Sequence, residues 1–70
     1  MKRNKFLEFI GFKFIANNNT GEIHRVETLS KACRISMMTN ARYITGRKVR
    51  KLLKKGHNGC RFCYAEKDNG

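Results

Sequence analysis

Cys60-Arg61-Phe62-Cys63 is a C-x-x-C pair in a chain of 70 residues, and one further cysteine, Cys33, completes the set. Three thiols cannot close a disulfide framework without leaving one over. That counts against a secreted, disulfide-stapled scaffold and for a metal site. The constraint is severe because so short a chain hides about 60% of the surface its unfolded form exposes, so its core is marginal without a staple. The C-x-x-C spacing lets two thiolates face one ion from a tight turn, and a zinc ion asks for four nitrogen or sulfur ligands in a tetrahedron. With Cys33 as the third, the fourth is expected to be a histidine, and the chain has two, His24 and His57. His24 falls on an expected strand, with Cys33 in the loop just beyond it. A histidine and a cysteine from that side and the C-x-x-C pair from the other would close a Cys3His site. Two other readings exist for such cysteines. A redox pair of the thioredoxin type needs a βαβ surround that is absent here, in a chain too short for that fold. The other is a set of buried, unligated thiols.

The rest of the chain predicts one α+β domain over residues 1–70, with a basic arm at 1–7 and a flexible tail at 65–70. The apolar stretch Phe6–Ile15 follows Lys2, Arg3 and Lys5 as a signal peptide would, but Glu8 and Lys13 interrupt it. It is far short of the roughly 20 residues that span a bilayer, and reads instead as mostly core strand. No membrane association and a cytoplasmic location are the expectation. Phe12 and Phe14 alternate with Lys13, predicting a strand over 11–15, and Glu22 to Val26 predicts a second. The turn formers Asn17 to Gly21 between them suggest a β-hairpin with a five-residue loop. Residues 28–40 have no clean period and read as loop with one helical turn at most. Ala41-Arg42-Tyr43-Ile44 is a candidate third strand. Val49, Leu52 and Leu53 recur at i, i+3 and i+4, the core stripe of an amphipathic helix. Thr45 can cap that helix and Gly56 can end it. His57 to Gly59 is expected to turn into Cys60. The fold expected is a small zinc-stabilised domain with two or three antiparallel strands and one main helix.

Several of these residues together resemble a known family. Phe14-Ile15-Ala16-Asn17, Gly21-Glu22-Ile23-His24, Cys33-Arg34-Ile35 and Gly56-His57-Asn58-Gly59-Cys60-Arg61-Phe62-Cys63 follow the order of small bacterial Ada-type zinc-binding domains. The resemblance covers about residues 12–64. It implies His24, Cys33, Cys60 and Cys63 as ligands and places His57 where such domains carry a packing aromatic. It also implies a limit. The repair-active members accept a methyl group on a cysteine at the first ligand position, where this chain has His24, so that activity is not carried over.

The formal net charge is +11, from sixteen Lys and Arg against five Asp and Glu. Arg47, Lys48, Arg50, Lys51, Lys54 and Lys55 crowd the expected helix, and no acidic residue lies between Glu27 and Glu66 to relieve them. A solvated surface is the plain reading of a charge run. A density this high also predicts attraction to a polyanion, either DNA or RNA through its phosphates or an acidic protein partner. Arg61 in the C-x-x-C turn and the Lys2–Lys5 arm extend that surface, and Phe62 and Tyr64 are candidates for stacking on bases or for packing at the metal site. No helix-turn-helix or RNA-recognition signature is present. So few carboxylates, all outside residues 28–65, and no Ser/His/Asp set leave little for acid–base catalysis, so the chain is not expected to be an enzyme.

Overall fold

A computed structural model describes residues 1–68. The chain runs α1 (Lys5–Phe9), β1 (Phe14–Asn17), β2 (Glu22–Arg25), β3 (Ala41–Ile44), α2 (Gly46–Lys54) and β4 (Asn58–Gly59). Short 3-10 turns at Val26–Thr28, Lys31–Cys33, Ile35–Met37 and Ala65–Lys67 fill the connections. The class is α+β, as expected. The sheet, in the order β3-β1-β2-β4, has four strands rather than two or three, and it is mixed: β4 runs parallel to β2.

β1 and β2 form the hairpin, with Asn17 paired to Glu22, so the loop between paired residues is Asn18 to Gly21 and one residue shorter than expected. Gly21 takes φ +76° there, a left-handed conformation that glycine adopts without steric cost. Side chains alternate along a strand, and directly opposed residues share a face. Phe14, Ala16, Ile23 and Ile44 therefore line one face, and Ile15, His24 and Tyr43 the other.

α2 covers the first face. Its stripe packs as the sequence predicts: Val49 is buried with Ile23 and Tyr64, and Leu52, Leu53, Phe14 and Ile44 close around them. The Thr45 hydroxyl accepts from Lys48 N–H at 3.3 Å as N-cap. Gly56, just past the C-cap, holds φ +103°, so the chain turns back where a Cβ would be strained.

The N-terminal stretch departs from expectation. Residues 5–9 form a helix, not strand, and Phe6 and Phe9 are exposed instead of buried. The Asn4 side chain caps this helix by accepting from Leu7 N–H. Glu8 is the residue that turns inward, bound by Arg3 at 2.7 and 3.0 Å and by the Tyr43 hydroxyl at 2.5 Å. A buried carboxylate with three donors fixes the helix against β3, which no apolar pattern would reveal. The arm before it is docked as well: the Met1 nitrogen donates to the carbonyls of Ile35 and Met38. Residues 65–67 of the expected tail form a turn whose Glu66 pairs with Arg25. Residues 69 and 70 of that tail lie outside the described residues. Among the described residues no helix is long and apolar enough to cross a membrane.

Candidate metal centre

His24 reaches the second face of the sheet because it follows Ile23 on β2, and it is 2% exposed. Cys33 ends the 3-10 turn Lys31–Cys33, beyond which Arg34 takes a left-handed conformation (φ 52°, ψ 46°). That sharp change of direction leaves Cys33 buried and Arg34 exposed. Cys60 and Cys63 are delivered by β4, where Asn58 N–H donates to the Gly21 carbonyl at 3.0 Å and Cys60 N–H to the Ile23 carbonyl at 2.8 Å. The Tyr64 N–H closes the C-x-x-C turn onto the Cys60 carbonyl at 2.7 Å. Gly59 is required for this approach. A Cβ there would stand 2.8 Å from the Lys67 Cβ and would collide with the Tyr64 carbonyl oxygen.

The four side chains converge. Their candidate ligand atoms all lie within 4.8 Å of one another, and all four residues are buried. Cys33 Sγ and Cys60 Sγ are 3.8 Å apart, and Cys63 Sγ is 3.5 Å from His24 Nδ1. A tetrahedral centre with bonds of about 2.0–2.3 Å has sulfur–sulfur edges of about 3.8 Å and sulfur–nitrogen edges of about 3.5 Å. These two separations match those edges, so the donor set could hold a metal ion. His57 is not part of this cluster: it is half-buried, and its backbone N–H donates to the Leu52 carbonyl at 3.0 Å.

Hydrogen-bond donors surround the sulfurs. The backbone N–H of Arg25 donates to Cys63 Sγ and that of Phe62 to Cys60 Sγ, each at 3.4 Å, and the Ser30 hydroxyl lies 3.7 Å from Cys33 Sγ. Such contacts orient metal ligands and tune their charge. Burial pushes the Cys60 and Cys63 thiols above the ordinary value. Burial acts the same way on Cys33, but its bonds to Ser30 and to the neighbouring thiols outweigh it and leave that thiol below the ordinary value. Ionising all three buried thiols side by side would need a cation among them, which is what a divalent metal supplies. Burial lowers the His24 imidazole toward its neutral, ligating form, and its Nε2 is buried without a hydrogen-bond partner. Leu29 and Ile35 pack against the cysteines and shield them.

The sequence-predicted basic residues lie elsewhere. Arg47, Lys48, Arg50, Lys51, Lys54 and Lys55 are all exposed, on or just past α2. Arg61 is exposed at the C-x-x-C turn with its guanidinium 5.5 Å from the Phe62 ring centre. Phe62 is 55% exposed, whereas Tyr64 is buried, 5.4 Å from the Phe14 ring and capped by the Arg25 guanidinium at 5.0 Å. Of the two aromatic candidates, Tyr64 therefore packs in the core and Phe62 faces outward. Sequence reasoning missed the supporting cast: Ser30, Gly59, and Arg25 reaching both Tyr64 and Glu66. A serine three residues before Cys33 and a glycine directly before Cys60 are signals that could have found the first two.

No family model matches the chain, and neither a curated protein nor a solved structure matches it.

Proposed function

We propose that this chain is a zinc-stabilised binding module, not an enzyme, whose helix α2 engages nucleic acid through the phosphate backbone. Zinc is the metal that three thiolates and one imidazole favour among common cellular ions. The ligand order His24, Cys33, Cys60, Cys63 is that of an Ada-type zinc-binding domain with histidine at the first position. Binding adds two charges and releases three thiol protons, so a chain of formal charge +11 remains at +10.

The observation that carries the nucleic-acid reading is the state of α2. Its apolar stripe is packed on the sheet, its five Arg and Lys side chains and that of Lys55 just past it are exposed, and none of the six enters an ion pair among the described residues. The ion pairs Arg3–Glu8 and Arg25–Glu66 use carboxylates elsewhere. A phosphate backbone supplies the missing counter-charge and gains from release of its own counterions.

The test is a binding titration against random-sequence DNA and RNA at several salt concentrations. If about four side chains meet phosphates, log affinity against log salt falls with a slope of about −3 to −4. Replacing Arg50, Lys51, Lys54 and Lys55 by Gln flattens that slope with zinc content unchanged, because none belongs to the Val49/Leu52/Leu53 stripe. Absence of binding at low salt overturns the nucleic-acid reading in favour of an acidic protein partner.

A further inference from the structure

A cleft of about 600 Å³ lies between the N-terminal arm and the segment that carries Cys33. Lys2, Arg3, Lys31 and Arg34 line it, and no carboxylate does. Arg3 is already paired with Glu8. Lys2, Lys31 and Arg34 are exposed, and none of them enters an ion pair among the described residues. Leu29 and Ile35 supply apolar surface, and Ser30 and Ser36 supply hydroxyls.

The volume is that of a small-molecule site, and the mixture of an apolar wall with a few converging polar groups is what such sites use. Like charges gathered around a concave surface raise the local concentration of an anion. Arg34 adds an independent sign. A non-glycine residue at φ 52° is uncommon, and residues held this way gather at functional positions. The turn assigns neighbouring residues to different tasks, Cys33 to the buried cluster and Arg34 to the cleft. The cleft is separate from α2, which contributes no residue to it.

We propose that this cleft binds an organic phosphate monoester, with Lys2, Lys31 and Arg34 on the phosphate and Leu29 and Ile35 against the organic body. Arg and Lys bind phosphate oxygens through charge-assisted hydrogen bonds, the stronger kind. A free nucleotide and the phosphorylated end of a nucleic-acid strand present the same chemistry. The zinc-loaded full chain is titrated calorimetrically with adenosine 5′-monophosphate, adenosine, a short 5′-phosphorylated oligonucleotide and the same oligonucleotide with a 5′-hydroxyl. The phosphate is expected to improve binding by about tenfold or more for at least one pair. A response in the nucleotide pair identifies a free nucleotide, and one confined to the oligonucleotides identifies a strand end. The preference disappears in K31Q/R34Q and survives in the α2 variant R50Q/K51Q/K54Q/K55Q. K2Q/K31Q leaves the Cys33–Arg34 turn untouched and decides the matter if K31Q/R34Q fails to retain zinc. Equal binding with and without phosphate overturns the proposal. So does a preference that persists in both cleft variants or vanishes in the α2 variant.

Discussion

On one face of the sheet Ile23 meets Val49 and Tyr64, ringed by Phe14, Ile44, Leu52 and Leu53. On the other, its neighbour His24 meets Cys33, Cys60 and Cys63, with Leu29 and Ile35 alongside. The apolar face is built from regular elements and spreads its stabilisation over many contacts, so losing one side chain removes one share. The metal face draws on irregular segments that have little reason to meet without an ion between them. With a metal bound, its stabilisation would be concentrated at one point and lost as a whole. Among the described residues the largest fully buried side chains are Ile15, Ile23, His24 and Cys60, so few apolar contacts are at hand to compensate.

The largest expected effect is therefore on the metal face. Purified protein should contain one zinc per chain. Structural zinc is worth on the order of 10 kcal/mol or more, against a total stability of about 4–10 kcal/mol for a domain this short. Strong chelation, or Cys33→Ser or Cys60→Ser, should unfold the chain, seen as loss of amide-resonance dispersion. His24→Ala should weaken zinc in a competition titration far more than His57→Ala. A folded, metal-free chain in chelator would break the contrast between the faces, and the opposite histidine ranking would move the centre.

A smaller effect is expected on the apolar face. Val49 is 3% exposed. Val49→Ala removes buried methyl groups and leaves a small void, costing about 2 kcal/mol. Denaturant unfolding of the zinc-saturated protein measures that cost, and zinc affinity in the folded chain should change little. If Val49→Ala releases zinc as readily as Cys60→Ser does, the two faces are a single cooperative core.

The same contrast explains what could be read from the sequence. The stripe of α2 was legible because a local period writes itself into neighbouring residues, whereas β3 at Ala41–Ile44, with no clean alternation, was legible only as a candidate strand. The approach of His24, Cys33, Cys60 and Cys63 was expected from ligand chemistry, the C-x-x-C spacing and the family resemblance rather than from any period. The 3-10 turns between Val26 and Met37 were not legible, since they follow the needs of Cys33 and Arg34 and have no repeat of their own. β4 was hidden by its length: it consists of Asn58 and Gly59, and its partners are Glu22 and Ile23. The run Phe6 to Ile10 misled because its hydrophobicity suggests a buried strand. What decides its conformation is Asn4 as a cap and Glu8 bonded to Tyr43, 35 residues away.

That Glu8 cluster belongs to neither core and gives the smallest and most pH-dependent prediction. The Arg3 side chain, hydrogen-bonded to it, holds the Glu8 carboxyl below the usual carboxylate range; burial opposes this, and the Tyr43 hydroxyl and the charges of Arg3 and Lys5 assist. A folded-state pKa below the unfolded value means that the contribution is complete above the ordinary carboxylate range. It shrinks as pH falls through that range and is gone below the lowered folded value. Arg3 is 40% exposed along its side chain, so solvent screens the pair and its worth is modest. Glu8→Gln should cost about 1 kcal/mol at neutral pH in urea unfolding of zinc-saturated protein. The gap to the parent should narrow as pH is lowered toward the limit of metal retention, where zinc loss acts on both chains alike. Zinc affinity at neutral pH should not change. A constant gap across pH would remove the ionised carboxylate from the account of how α1 is held, and a drop in zinc affinity would tie the N-terminal helix to the metal face.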